Sequence, residues 1–344
     1  MFSVFLIALF VSSCKKEEVL TPILTQPVYE IARTSATFKA TLFSETLDSV
    51  VEDGFCWGLN ESPALNDDHN VTNHRDWNND LILHTTYLLP DTKYYVRAYA
   101  KTGNNLYYGN TVNFTTKSPS VSTSFNPALT YSSVQDIDGN LYKTIQIGNQ
   151  EWMAENLKTK KLNNGSDITV YENGVSWSLL NTEGVCWYEN NKAIFGDMYG
   201  AYYNWYTVNT GILCPAGWHV PDEEDWKELK MALGMTEEQA DLAFGFAGST
   251  EGDKIKESGT FNWISESTPS TNESGFTALP GGLRSVGPAD FLSEGLVANW
   301  WSSTEYFGIN AWSHGVGYSD SRIYRSNMYS KSYGLNVRCV KNSK

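Results

Sequence analysis

The chain has 344 residues, with 25 Lys and Arg against 39 Asp and Glu, a formal net charge of −14. That balance argues against a nucleic-acid binder, which needs a basic face to displace counterions, and against electrostatic docking on anionic lipid. The 12 Trp, 20 Tyr and 15 Phe, within an apolar fraction of 41%, support folded cores rather than disorder. The length predicts about two globular units, because single cores stop growing near roughly 250–300 residues.

Residues 1–13, MFSVFLIALFVSS, form an uncharged apolar run. It is shorter than the roughly 20 residues that span a bilayer and has the length of a signal-peptide core. It ends in Val11-Ser12-Ser13-Cys14, followed by Lys15-Lys16-Glu17-Glu18. This ending resembles a bacterial lipobox, although no Lys or Arg precedes the apolar run. The resemblance implies cleavage before Cys14, acylation of Cys14 and a tether over 14–23. Two or three acyl chains anchor a protein permanently, whereas one is marginal. Lys15, in place of Asp, gives no inner-membrane retention signal. Lys followed by acids also resembles the surface-export tether of Bacteroidetes-type lipoproteins. The expected address is therefore the outer membrane, lipid-anchored and exposed at the cell surface.

Four cysteines remain once Cys14 is lipidated: Cys56, Cys186, Cys214 and Cys339. No CxxC or Cys/His spacing points to zinc, and the compartment permits disulfides. Cys56 (between Phe55 and Trp57) and Cys186 (between Val185 and Trp187) read as buried small hydrophobes.

Residues 24–117 carry short period-two runs, such as 35–42, 95–100 and 111–115, with no helix signal. They predict an all-β sandwich. Leu88-x-Pro90-x-Thr92-x-Tyr94 resembles the tyrosine corner of fibronectin type III domains, and Gly54-Phe55-Cys56-Trp57-Gly58 supplies the core-facing Trp strand of that resemblance. Such a module is expected to act as a spacer. Residues 118–130, rich in Ser, Thr and Pro, read as a linker.

Residues 131–344 hold ten of the twelve Trp and a net charge of 16 − 26 = −10. Asp138-Gly139-Asn140 and Gly148-Asn149 predict two hairpin turns flanking a strand with Tyr142, Ile145 and Ile147. Asp136-x-Asp138 is not a calcium loop, because Gly139 stands fourth and Ile147 twelfth, where an EF-hand needs Gly sixth and Glu last. Leu213-Cys214-Pro215-Ala216-Gly217-Trp218-His219-Val220-Pro221-Asp222 then leads into a helix. Asp222 is its N-cap, with Glu223, Glu224 and Asp225 in the first turn, where the helix dipole favours anions. Trp226, Leu229 and Leu233 make its apolar stripe, and Gly234 ends it. Thr236-x-x-Gln239 predicts a capping box for a second helix over 237–244. Capping accounts for the acids, so neither Glu223 nor Asp225 is read as catalytic.

The C-terminal part contains Ser274-Gly275-Phe276-Thr277-Ala278-Leu279-Pro280-Gly281-Gly282-Leu283-Arg284, then Asn299-Trp300-Trp301-Ser302-Ser303-Thr304-Glu305, then Ser332-Tyr333-Gly334-Leu335-Asn336-Val337-Arg338-Cys339-Val340. With the opening hairpins and the CPAGWHVP stretch, these motifs closely resemble the Fibrobacter succinogenes major paralogous domain family. The family resembles a branch of the C-type-lectin-like fold, akin to formylglycine-generating-enzyme domains. The implied fold is therefore multidomain: a fibronectin type III/Ig-like sandwich, then an α+β C-type-lectin-like domain. In that fold a disulfide ties the segment before the first helix to the last strand, which implies a Cys214–Cys339 bridge.

An enzyme is not expected. The reactive Cys pair of the formylglycine-generating relatives is absent, and His219 and His314 lie near no recognised nucleophile motif. Ser285 and Ser302 lack a GxSxG elbow, and no Walker or GxGxxG loop occurs. A glycosidase-type carboxylate pair is the weaker alternative. The calcium-lectin motifs are absent as well, so no metal or cofactor is implied. The stretch 305–329 mixes rings with amides and charges, the composition that stacks on sugar CH faces and takes hydroxyls. Candidate ligand-binding residues are Trp312, Tyr318, Asp320, Arg322, Tyr324 and Asn310. Trp300 and Trp301 are assigned to the core. The expected partner is a glycan or, as the runner-up, an envelope protein; the membrane is met through the lipid anchor alone.

Overall fold

The computed structural model describes residues 22–43, 50–72, 74–103, 105–118, 123–172, 174–259, 261–264, 270–287 and 291–343. The signal segment, Cys14 and nearly all of the tether lie outside the described residues. The chain divides into two compact units. The smaller holds residues up to Pro27, Phe38–Leu83 and Tyr95–Asn113; the larger holds Val28–Thr37, His84–Tyr94 and Phe114–Lys344.

Among the described residues, eight strands lie in the first third of the chain: β1 (Ile23–Thr25), β2 (Ala36–Leu42), β3 (Glu52–Gly58), β4 (Asp68–Val71), β5 (Leu81–Thr85), β6 (Lys93–Thr102), β7 (Asn105–Tyr108) and β8 (Val112–Thr115). They form two sheets, β1-β2-β5 and β4-β3-β6-β7, with β8 also on β6. This is the fibronectin type III-like arrangement that the alternation predicts. Inward residues of the two sheets meet where Phe38 packs 5.7 Å from Phe55 and 5.6 Å from half-buried Trp57. Cys56 is buried. The tyrosine corner forms as expected: the Leu89 N–H donates to the Tyr94 hydroxyl at 2.9 Å.

Within the larger unit, Arg33 is held in full burial. Its guanidinium pairs with Glu294 at 3.0 Å and donates to the Tyr199 hydroxyl at 2.9 Å and to Asn262. Packing also begins before residue 131. Phe125 and Leu129, inside the stretch read as linker, lie against the core, and Asn126 Nδ2 donates to the Asn272 carbonyl at 3.0 Å. Two apolar side chains in a Ser/Thr/Pro-rich run are enough to dock it.

The two hairpins are β9 (Ser132–Gln135), β10 (Leu141–Ile147) and β11 (Gln150–Met153). Asp136 brackets the first turn, accepting from the Asn140 N–H at 2.9 Å and from the Tyr142 hydroxyl at 2.6 Å. Next come α1 (Gly174–Ser178), β12 (Val185–Cys186), α2 (Lys192–Tyr199), β13 (Tyr202–Tyr203), α3 (Trp205–Val208) and β14 (Trp218–His219). Then follow α4 (Glu223–Ala232), α5 (Glu237–Ala240), β15 (Gly245–Ala247) and α6 (Glu251–Ile255). The chain ends with β16 (Leu283–Arg284), β17 (Phe291–Leu292), β18 (Val297–Glu305), β19 (Ala311–Gly317), β20 (Ile323–Ser326) and β21 (Val340–Lys341). The larger sheets run β14-β21-β11-β10-β9 and β15-β20-β19-β18.

Helix α4 starts at the predicted cap. Asp222 accepts from the Glu224 and Asp225 N–H groups, and Asp225 returns the bond, a full capping box. The predicted second helix stops after one turn, at Ala240 instead of 244, although its Thr236–Gln239 box forms. The chain turns into β15 there, because Gly245 at φ 96° leaves helical space and pairing with β20 competes for the backbone.

Strand β18 explains the adjacent tryptophans. Side chains alternate across a strand, so two neighbours can both be buried only if both faces are covered. Trp300 joins the core with Trp152, Trp226 and Phe276, while Trp301 joins Tyr203, Trp205 and Val337 on the other side.

Cys214 and Cys339 are bonded, with Cα atoms 6.0 Å apart and a sequence separation of 125. Cutting this bridge in Cys339→Ser, or with dithiothreitol, is expected to lower unfolding free energy by up to roughly 4–5 kcal/mol on chain-entropy grounds. Urea unfolding with and without reductant measures it. An unchanged midpoint would show that noncovalent packing alone closes the loop.

Candidate functional site

The four-stranded sheet has a cleft of about 340 Å³ at its β15 edge. Phe244, Phe246, Val297, Tyr324, Met328 and Tyr329 supply its apolar wall, and Ser326 and Asn327 the polar part; Arg325 borders it as the neighbour of Tyr324 in β20, with its side chain on the other face. Register explains the gathering. Asn299, Gly315, Tyr324 and Phe246 are successive cross-strand partners and therefore share one face. Gly315 leaves a slot across the middle strand, where a Cβ would stand 2.4 Å from the Tyr324 ring. The ring lies in that slot, its hydroxyl meets Asn299 Oδ1, and Phe246 meets it edge-on at 5.6 Å. The cleft is open to solvent, since Phe244 is 68% and Met328 81% exposed.

The opposite face of the same strands carries the charges. His314 stacks on Trp226 at 4.6 Å, and its Nε2 lies 3.1 Å from Glu223. Arg325 pairs with Glu223 at 2.6 Å and spreads over Trp312 at 3.8 Å. Burial pushes the His314 ring down to about 4, against the pull of Glu223. Burial alone would raise the Glu223 carboxyl; the hydrogen bond and charge of His314 and the charge of Arg325 outweigh it and bring the carboxyl to about 2. Near neutrality the pair is thus a carboxylate accepting from a neutral ring. Among the described residues His314 Nδ1 is buried without a hydrogen-bond partner; protonating it would leave a buried charged donor unpaired, a larger cost than an unmet acceptor. Capping therefore does not exhaust the role of Glu223. The sequence pattern hid this, because His314 lies 91 residues away.

Asp225 has a second role too. Its Oδ2 accepts from His219 Nε2 at 2.8 Å while His219 Nδ1 meets Asn342 at 2.7 Å. The hydrogen bond to Asp225 raises the His219 ring above its ordinary value.

The predicted ligand-binding residues separate. Tyr324 lines the cleft, and Arg322 stands beside it, 4.9 Å over the Phe246 ring. Arg322 is bound to Asp320 through both Nε (2.9 Å) and Nη2 (2.6 Å), so each partner spends its polar edge on the other. Trp312 sits on the charged face, with Arg325 over its ring and Tyr306 at its edge, 4.8 Å away. Tyr318 is half-buried against the core. Asn310 braces a turn, donating Nδ2 to the Asn327 carbonyl at 3.0 Å. Phe244, Phe246 and Met328 are cleft residues that the sequence reading missed. The signal was there in Phe244-Gly245-Phe246, two rings on one face of a strand, but the helix assignment to 244 obscured it.

These features define a class: a mostly β protein with few helices, in which a fibronectin type III-like sandwich precedes a disulfide-closed distal unit. Residues 145–341 match the Fibrobacter succinogenes major domain, and the chain belongs to that family. No curated protein matches it. Among solved structures it is similar to a computationally redesigned β-sandwich protein, at 22% identity and TM-score 0.21 over 28% of this chain and 90% of that one. It is similar to the sensor domain of the anti-sigma factor RsgI4 of Pseudobacteroides cellulosolvens, at 18% identity and TM-score 0.22 over 35% and 98%. A fibronectin type III domain of the human KIAA0970 protein matches at 11% identity and TM-score 0.22 over 33% and 87%.

The Glu223–His314 pair sets an acid limit on stability. Both groups have folded values below their unfolded ones, roughly 6.5 for His and 4.3 for Glu. The His314 contribution is complete above about 6.5 and is lost as pH falls through about 4; the Glu223 contribution fades from about 4.3 toward 2. His314→Asn is expected to flatten the slope of thermal midpoint against pH between about 6.5 and 4. An unaltered slope would place the acid sensitivity elsewhere.

Proposed function

We propose that the chain is a lipid-anchored, surface-displayed interaction module that holds an apolar segment of a protein partner in the cleft at β15 and β20. The observation that carries this reading is the character of the cleft. Its wall is mostly apolar, and its rim continues onto the turn 306–310, where Phe307 is 81% and Ile309 73% exposed. Exposed apolar side chains at this density mark interaction sites. The turn and the cleft are joined, because Asn310 donates to the Asn327 carbonyl and the Lys331 N–H donates to the Ile309 carbonyl at 2.7 Å.

Glycan capture is the second reading, favoured by the edge-on Phe246–Tyr324 pair with Ser326 and Asn327 on the same wall. It ranks second because the polar groups expected to take hydroxyls (Asp320, Arg322, Asn310) are already bonded within the chain. The reading is of a non-catalytic module: the buried carboxylate and imidazole are spent on each other and on Arg325.

A C-type-lectin-like fold for the distal unit is supported by the bridge from the segment before α4 to the last strand and by the α4–α5 pair. The outer-membrane address rests on the lipobox-like Val11-Ser12-Ser13-Cys14. Among the described residues no helix is long and apolar enough to cross a membrane. Incorporation of labelled palmitate, abolished in Cys14→Ser, is the expected result for the anchor.

The ligand reading is tested with the full chain against a random peptide library and a glycan array in parallel. Peptides with an aromatic or branched apolar anchor are expected to be selected. Their affinity is expected to fall at least roughly tenfold in Phe246→Ala and Met328→Ser, the loss of one buried apolar anchor. A glycan hit sensitive to the same substitutions would overturn this in favour of the second reading. Binding indifferent to both substitutions would remove the cleft from the function.

A further inference from the structure

The motif Pro280-Gly281-Gly282-Leu283-Arg284 plays no part in the cleft, and it lies in tight contact with several other segments. Gly282 sits at φ 71°, where an added Cβ would stand 2.1 Å from the Leu292 carbonyl oxygen, and a Cβ on Gly281 would stand 2.8 Å from the Tyr202 hydroxyl. Gly334, from the separate Ser332–Val340 motif, exchanges both backbone hydrogen bonds with Arg284 at 2.9 Å. A Cβ there would stand 2.9 Å from the Arg284 Cβ and 3.0 Å from the Trp177 ring. Gly281 and Gly282 thus let the motif's backbone lie close against Tyr202 and β17, and Gly334 leaves room beside the Arg284 side chain.

The side chain is fully buried between two rings, 4.6 Å over Trp177 and 5.0 Å over Phe291. Its Nη1 edge is occupied, donating to the Tyr171 carbonyl at 3.0 Å and to Asn190 Oδ1 at 3.1 Å. Asn190 is itself held in place: it and Glu189 are both left-handed (φ 55° and 49°), and its Nδ2 donates to the Glu172 carbonyl at 2.9 Å. The other edge is unspent. Nε and Nη2 have no hydrogen-bond partner, and no carboxylate pairs with this guanidinium among the described residues. Among the described residues Trp177 Nε1 and the Tyr188 hydroxyl, in the same aromatic cluster, are also buried without hydrogen-bond partners.

A buried cation is costly unless it is paired, and rings and carbonyls offset that cost only in part. Water could complete the hydrogen bonds but would leave the charge. Nε and Nη2 form the side of a guanidinium that grips two oxygens of one oxyanion through parallel N–H donors. We propose that Arg284 is the anchor of an oxyanion-binding site, taking a carboxylate or a phosphate through its Nε–Nη2 edge, separate from the apolar cleft. Tyr171, whose carbonyl the guanidinium meets, is half-buried, and Glu172 beside it is exposed.

The test uses the unaltered full chain labelled with 15N-arginine and titrated with sodium acetate, sodium phosphate or sodium chloride at one fixed ionic strength. The expected result is a saturable shift of the Arg284 Nε–H resonance with acetate or phosphate, absent with chloride. The arm that saturates at the lower concentration decides between carboxylate and phosphate. Arg284→Lys keeps the charge and loses the fork, and is expected to weaken the anion-dependent rise in melting temperature at least roughly tenfold in half-saturating concentration. A resonance that moves with no oxyanion, or equally with chloride, overturns the proposal without requiring any variant to fold. Equal response of Arg284→Lys would overturn the bidentate fork.

Discussion

The larger unit depends on where its last strand is placed. β21 is two residues long and lies inside a five-stranded sheet, second in order, between β14 and β11. A strand so short has little pairing energy of its own and is held by its neighbours. The Cys214–Cys339 bond fixes it from one side, and the Met153 N–H donating to the Cys339 carbonyl at 3.0 Å fixes it from the other. Arg338, next along the chain, is fully buried. It donates to Asn156 Oδ1 at 2.9 Å and to the Thr277 carbonyl at 2.8 Å, with the Phe276 ring 4.1 Å away. Burial lowers its guanidinium to about 9. Three distant segments therefore meet at the C-terminal strand through one covalent bond and one buried cation.

From that closure the two faces of the four-stranded sheet acquire opposite character. β18 is clamped on both sides, and the Trp301 N–H donates to the Asn336 carbonyl in the segment leading to β21. The alternation of β19 and β20 then sends His314 and Arg325 toward α4 and Tyr324 toward the cleft. Charge is buried against a helix where it can be paired, and aromatic surface is left where a ligand can reach it. Glycines mark the tight approaches: Gly315 for the Tyr324 ring and Gly334 for Arg284.

Several of these features were legible in the sequence. The hairpins around Asp138-Gly139 and Gly148-Asn149, the Asp222 cap, the apolar stripe of α4 and the tyrosine corner are local. Each rests on hydrogen bonds or periodicities that span a few residues. The bridge was legible through the family resemblance and not through spacing. The binding residues were read least well. Trp312 and Tyr324 lie twelve residues apart in an aromatic-polar stretch, yet they fall on opposite faces of one sheet. Composition alone carries no face.

The sequence by itself determined the modular order, the β character of the first third, the helix start at Asp222 and the burial of Trp300 and Trp301, because turn chemistry, capping and alternation are short-range. Tertiary structure alone decided that Glu223 is an ion-pair partner as well as a first-turn acid. It also decided that Phe244 and Phe246 form a wall and that one edge of Arg284 is unspent. Each of these depends on which strands become neighbours. That register is set by closing loops of tens to a hundred residues, information that no short window of the chain contains.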